Sequence, residues 1–508
     1  MTIEIGSALT TSDVVNVAQG AEVSIAPHVR SSVDAARRLV EEALHHPEHA
    51  VYGINTGFGY LANVRIPANE SERLQHDIVR SHATAVGLPL PVEVVRAMLL
   101  LKARTFAFGI SGVRYELIEA LVAMLNARVH PVVPSQGSLG ASGDLALLAH
   151  LALPLMGEGE AELGGEVMPA AAALESARLE PLLPSHKEGL SLVNGTEGML
   201  ALGILTLERV ERLARAADVT GAMTVEACLG TDQAFRQELV GLRTHPGALV
   251  VARNLQALLA GSPTVASHRE SEHMVQDAYS LRCIPQVHGA YRDGIAYVRE
   301  TLEAELASAV DNPNVLVEEK TISSSGNFHG ESLALALDHL CLCATGFATI
   351  AERRIARLVD PELNNGLPAF LTTDPGRRSG FMMAQYTAAS LVAESRSLCM
   401  PASADSIPTS AGQEDHVSMG MTSARKAWAI AENTGRVLAI EALAAAQGLD
   451  LRAPLQPADA TGAARDRLRD ISPTLDEDRS LAPDIEATAR ALGDGALQDA
   501  VADQVSLV

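Results

Sequence analysis

Apolar positions recur with a helical period over most of this chain. SSVDAARRLVEEALHH (31–46) opens on Ser and Asp, and its apolar residues then fall three and four apart, which predicts an amphipathic helix. VEVVRAMLLLKARTFAFG (92–109) and RYELIEALVAMLNARV (114–129) predict a helical pair joined by the turn GISGV. Longer runs over about 198–218, 286–309, 331–359, 382–397 and 420–447 follow, several of them apolar nearly all round. Such helices belong inside a bundle or against other subunits. The first 30 residues alternate weakly and predict short strands and turns. RLVDPELNNGLPAF and MPASADSIPTSAGQ are Pro-, Gly- and Asn-rich loops, and the charged tail from about 455 predicts short surface helices. No regular alternation of strand and helix supports a doubly wound sheet, so the fold class is all-α.

Composition agrees. Apolar residues are 47% of 508 and aromatics 3%, so Ala and Leu carry the packing, and both enter helices at little cost. A net charge of −23 disfavours nucleic acid and anionic membrane surfaces as partners. The odd set Cys228, Cys283, Cys341, Cys343 and Cys399 has no C-x-x-C pair and reads as reduced thiols, not disulfides. The N-terminus lacks the pattern of a secretory signal, and LALLAHLALPLM, the longest apolar run, is too short and too interrupted to span a bilayer; the expectation is a soluble cytoplasmic protein.

GSLGASGDLALLAH (137–150) sets three glycines and an Ala-Ser-Gly triplet before an apolar helix. A phosphate loop would want Lys where Asp144 stands, and a hydrolase elbow would read G-x-S-x-G, one residue longer than Gly140-Ala141-Ser142-Gly143. A third chemistry uses every residue. The Gly143 nitrogen can attack the Ala141 carbonyl carbon, because neither residue carries a bulky side chain. Loss of two waters, one of them taking the Ser142 hydroxyl, leaves a conjugated electrophile. The positive end of the following helix would draw electron density onto it.

This stretch resembles the prosthetic-group signature of the aromatic amino acid ammonia-lyases and aminomutases. VYGINTGFG (51–59), LVNGTEGM (192–199), DAYSLRCIPQVHGA (277–290), SGNFHGES (325–332) and GQEDHVSMG (412–420) resemble further family blocks, in the same order. The resemblance implies 4-methylidene-imidazol-5-one (MIO), formed from Ala141, Ser142 and Gly143, with no external cofactor and no metal. It implies an all-α bundle like that of the fumarase/aspartase superfamily, divided as an active-site region (1–200), a long-helix bundle (201–450) and C-terminal short helices (451–508). It implies a homotetramer whose active sites draw on neighbouring chains, so that Tyr52, Ser142 and Tyr279 do not converge within one.

By position in these blocks, Tyr52 is the β-proton base, a role that needs its pKa lowered by cationic surroundings, and Tyr279 transfers or orients a proton. Arg282 forks onto the substrate carboxylate. Asn194 and Gln276 hydrogen-bond the ring or the substrate, and Phe328 forms an apolar wall. His82 and Glu414 offer polar partners to an imidazole, and Glu414 assists proton removal, so histidine is the implied substrate. Buried beside a phenyl ring, an unpaired carboxylate would cost on the order of several kcal/mol. The alternatives are a tyrosine or phenylalanine lyase, an aminomutase, or a scaffold without chemistry. The chain departs from the usual pattern at Ala85, Leu147, Glu197 (commonly Gln), Ala278 and Ile284. His45, His46 and His49 read as a solvated helix end broken by Pro47. His273, His288, His329 and His416 read as satisfied buried or supporting histidines, and Trp428 as packing.

Overall fold

The computed structural model describes every residue of 1–508 except Pro47, Glu272 and His273. The break at Pro47 and the placement of His273 therefore lie outside the described residues. The chain is mostly helical, with a few strands of two to four residues in two- and three-stranded sheets. The long helices are Glu197–Ala227, Ile284–Leu306, Glu331–Val359, Met382–Leu398 and Gly420–Leu451.

Two differences from the sequence expectation have local causes. Thr11–Ala18 is a helix inside the stretch expected to be strands and turns. Thr10 and Asp13 form a capping box there, satisfying two backbone donors reciprocally. The strands Thr2–Ile5 and Glu22–Ile25 on either side of it pair in parallel. The helix predicted from Ser31 starts earlier, at Val29, and the Ser31 and Ser32 hydroxyls donate back to the His28 and Val29 carbonyls (2.8 and 2.9 Å) instead of capping it.

By backbone contacts the chain divides into two compact units, each made of three separated segments. The first takes Met1–Leu205, Glu300–Leu337 and Pro401–Arg425; the second takes Thr206–Arg299, Asp338–Met400 and Lys426–Val508. Within the second, a buried polar chain joins four of the long helices. Arg354, fully buried, forks onto Glu441, with Nη2 to Oε2 at 2.9 Å. Thr220 and Thr224 donate to the same carboxylate at 2.9 and 3.0 Å. The Arg354 guanidinium also meets the His288 ring at 3.4 Å, and His288 bonds Asp218 at 2.8 Å. Asp218 in turn takes Arg292 at 2.7 Å. This explains why Glu197–Ala227 runs nine residues past 218. Thr220, Gly221 and Thr224 are modest helix formers, but the threonines satisfy Glu441 and a Cβ on Gly221 would lie 3.2 Å from Ile284 Cδ1. In the same unit Trp428 packs under the Arg209 guanidinium at 4.6 Å.

Glu331–Val359 is long and apolar enough to cross a membrane, unlike LALLAHLALPLM, but 78% of its most apolar window is buried inside the protein. Burial pushes the thiols of Cys228 and Cys343 up to about 12. None of the five cysteines forms a disulfide.

Arg354→Met leaves the Glu441 carboxylate buried without its cation, so denaturant unfolding is expected to show a loss of about 3–5 kcal/mol. The double substitution Arg354→Met/Glu441→Leu should recover most of that loss.

Candidate active site

Within the first unit, a cavity of about 900 Å³ opens where six segments meet. The loop around Tyr52, the end of helix Ala68–His82, the tripeptide, the chain near Asn194, and the segments around Phe328 and Glu414 all contribute to its walls. Seven of the residues singled out from the sequence line it: Tyr52, His82, Ala141, Ser142, Asn194, Phe328 and Glu414. Gly143 lies buried beside them. Gln276, Tyr279 and Arg282 belong to the second unit and are not among the lining residues. Gln276 is exposed and Tyr279 is 72% exposed, with the Arg282 guanidinium 4.8 Å from the Tyr279 ring centre. The buried Arg282 Nε has no hydrogen-bond partner.

The tripeptide sits in a cradle that a side chain would fill. Gly143 has φ +96°, and a Cβ there would lie 2.2 Å from Met199 Cε. Only glycine combines that backbone with that approach. Ser142 is 3% exposed, and the Ala141 carbonyl accepts the Gly330 N–H at 2.9 Å. A residue without Cβ, a carbonyl held by a donor and a buried serine are what cyclisation of Ala141-Ser142-Gly143 requires. The residues present therefore fit the implied prosthetic group.

Asp144, next in the chain, begins helix Leu145–Ala152 but does not cap it. Its Oδ2 accepts the N–H groups of Gly198 and Met199 at 2.7 and 3.0 Å, at the positive end of helix Glu197–Ala227. Complete burial pushes its carboxyl up to about 8, Glu197 adds to the shift, and the two N–H donors and Lys102 only partly offset it. Asp144 is therefore largely neutral at pH 7 inside the fold. Lys102, also fully buried, pairs with Glu197 at 3.0 Å and donates to the Asn194 carbonyl at 2.7 Å. Asn194 Nδ2 reaches Asp311 Oδ1 and the Asn312 carbonyl only at 3.4 Å, loosely enough to turn toward a ligand.

The cavity is polar along one side. The Tyr52 hydroxyl accepts the Gly59 N–H at 3.1 Å. Burial nevertheless raises the Tyr52 pKa above its ordinary value, and Glu414 raises it further, against the Gly59 bond. This is opposite to what the proposed base needs. The reason is visible in the walls: among the described residues no Lys or Arg lines the cavity. Burial lowers the His82 pKa and keeps its ring neutral, with Glu414 pulling the other way. The Glu414 carboxylate takes the Thr409 hydroxyl at 3.2 Å and sits against Gly140, whose Cβ would be 3.3 Å away. His329 and His416 also line the cavity, their rings stacked at 5.8 Å. With Glu331 they bring three potential metal-ligand atoms within 4.8 Å of one another, which bonds of about 2.1 Å would have to draw closer. The exposed His46 pairs with Glu48 at 3.2 Å.

A family model described as aromatic amino acid lyase matches residues 9–470. The chain belongs to the aromatic amino acid lyase family. It is 53% identical to a histidine ammonia-lyase of Anaeromyxobacter dehalogenans, over 97% of this chain and 98% of that one. The crystal structure of a histidine ammonia-lyase from Trypanosoma cruzi superposes with a TM-score of 0.91 at 40% identity, covering 100% of this chain and 96% of that one. A tyrosine aminomutase from Streptomyces globisporus superposes at 0.94 and 37% identity, with 100% of each chain covered. The all-α architecture of this lyase is shared with these structures.

In this aromatic amino acid lyase, sequence reasoning missed several residues that shape the site. Lys102 carried a signal: a lysine following the apolar run Ala97–Leu101 within a helix needs a partner if that run is buried. Gly330 and Met199 lay inside quoted blocks, but their approach to the tripeptide needs coordinates. The Asp144 pKa gives a signed prediction. An unfolded aspartate releases its proton near 4, whereas the folded one holds it to about 8. The folded state thus binds the extra proton between these values, and its stability falls as pH rises through that window. Between pH 5 and 7 Asp144 contributes a slope approaching about −1.4 kcal/mol per pH unit, falling to about half of that at pH 8, and urea unfolding of Asp144→Asn should lack that contribution.

Proposed function

We propose that this chain eliminates ammonia from L-histidine to give trans-urocanate. The observation that carries this reading is the convergence of Ser142 with His82 and Glu414 on one cavity. An imidazole finds a neutral ring and a carboxylate to hydrogen-bond there, whereas a phenyl ring can bond neither. The names of the relatives described above support the same substrate. MIO formed from Ala141-Ser142-Gly143 would supply an electrophile for the substrate amine.

The chain's own residues supply the rest. Asn194 offers its loosely held amide to the amine or carboxylate. Phe328 excludes water along one wall. Tyr52 Oη takes the β-proton once a cation opposes the burial that now raises its pKa, and Glu414 assists through its carboxylate. Gln276, Tyr279 and Arg282 complete the site from another copy of the chain. Arg282 then provides both the carboxylate fork and that missing positive charge. Apolar side chains exposed on the long helices, including Leu335, Leu342, Met383 and Tyr386, fit burial in a homotetramer. The excess of acidic residues and five cysteines without a disulfide fit a cytoplasmic setting.

Incubation with L-histidine should raise the ultraviolet band of urocanate, with L-phenylalanine and L-tyrosine far slower, and Ser142→Ala should fall to background. A β-amino acid product would instead assign an aminomutase. Light scattering should report four chains. Mixed assembly of Ser142→Ala with Arg282→Ala subunits should recover activity that neither has alone; no recovery would refute the shared site.

A further inference from the structure

We propose that Met199 and the Gly330 amide are the closing device for the tripeptide: Met199 backs Gly143 from behind, while the Gly330 N–H polarises the Ala141 carbonyl that Gly143 attacks. This rests on the ring reading above and names the residues that would make the ring form.

An amide nitrogen is a weak nucleophile, and an amide carbonyl a weak electrophile. Cyclisation therefore needs the two held in contact and the developing oxyanion stabilised. Both needs are met by residues outside the tripeptide. Met199 is fully buried, and three glycines from three separate segments surround its thioether. A Cβ on Gly143 would come within 2.2 Å of Met199 Cε, one on Gly330 within 3.0 Å of Cε and Sδ, and one on Gly420 within 2.7 Å of Sδ. The side chain is hemmed in and cannot retreat. Its backbone is fixed too, because its N–H donates to Asp144 Oδ2 at 3.0 Å, and Asp144 is bonded to Gly143. Push and anchor thus act on neighbouring residues. On the other side, Gly330 stands immediately before helix Glu331–Val359 and gives its N–H to the Ala141 oxygen at 2.9 Å. A Cβ on Gly330 would also lie 3.0 Å from the Ser142 carbonyl oxygen, so the approach depends on its absence.

In the step itself, the Gly143 nitrogen bonds to the Ala141 carbonyl carbon and its proton passes to the carbonyl oxygen. That C–O bond then breaks, and the oxygen leaves as water with the Ser142 amide proton, forming a C=N bond between the Ala141 carbon and the Ser142 nitrogen. A second water takes the Ser142 Cα proton and side-chain hydroxyl. No oxidant or co-reactant is required. Met199 contacts the reacting glycine without exchanging atoms with it, and is a positioning residue.

The test follows newly made full-length chains from cell-free synthesis by intact mass, scoring the two-water deficit over time. Helical signal and native mass confirm folding. Met199→Leu, close in volume, should mature within a few-fold of the unaltered chain. Met199→Val and Met199→Ala should mature progressively more slowly, Met199→Ala on the order of 10²-fold, while folded and assembled. Should the alanine variant not fold, the Leu and Val variants decide. Gly330→Ala keeps the N–H, and Gly330→Pro removes it and should be slower than Gly330→Ala by about tenfold. Equal maturation across the Met199 series, or equal rates for the two Gly330 variants, overturns the proposal and leaves the ring reading intact. An unaltered chain that never loses the two waters overturns both.

Discussion

The site depends on one buried acid. Asp144 ties the tripeptide loop to the start of helix Glu197–Ala227 through the N–H groups of Gly198 and Met199. Those donors have no partner within their own helix, so the interaction satisfies groups that would otherwise be buried and unpaired. It also sets the register between two parts of the site. Gly143 lies one residue before the acid, and Met199 presses against Gly143 from the other side. Without this tie, neither the position of the serine nor the close approach of Met199 would be determined.

Around it the first unit pairs two buried lysines with local carboxylates. Lys102 meets Glu197, and Lys187 meets Asp311 at 3.0 Å. The departure from Gln to Glu at position 197 is therefore matched by a lysine on a neighbouring helix, and its added negative charge helps keep Asp144 protonated. The cavity walls are different: carboxylates and imidazoles line them, and among the described residues no cation does. A phenol buried there holds its proton.

The second unit applies the same rule to stability. Helices apolar on all sides can slide against one another, because dispersion is nearly indifferent to register. The Arg354–Glu441 fork, with Thr220, Thr224, His288 and Asp218, removes that freedom, since each member loses its partner if one helix shifts by a turn. We read this network as a device for register, at a desolvation cost that hydrophobic substitutes would avoid.

The helices themselves were legible in the sequence. The run at 331–359 matches the helix found there, and those predicted at 198–218 and 420–447 were recognised but ended short. Periodicity reports a face to be buried, whereas an end depends on partners such as Glu441 that lie far away in the chain. The Ala141-Ser142-Gly143 triplet stood out by its own residue types, whereas Tyr52, His82, Asn194, Phe328 and Glu414 were singled out by resemblance to family blocks, and the structure brings them to one cavity. What the sequence could not specify were the relations among them. That Gly330 donates to Ala141, that Met199 fills the space Gly143 leaves, and that Tyr52 is pushed toward its neutral form are distances and desolvation. Local pattern determines which backbone states are accessible and which faces seek burial. Only the closed tertiary structure decides which atoms meet and how much water is left around them.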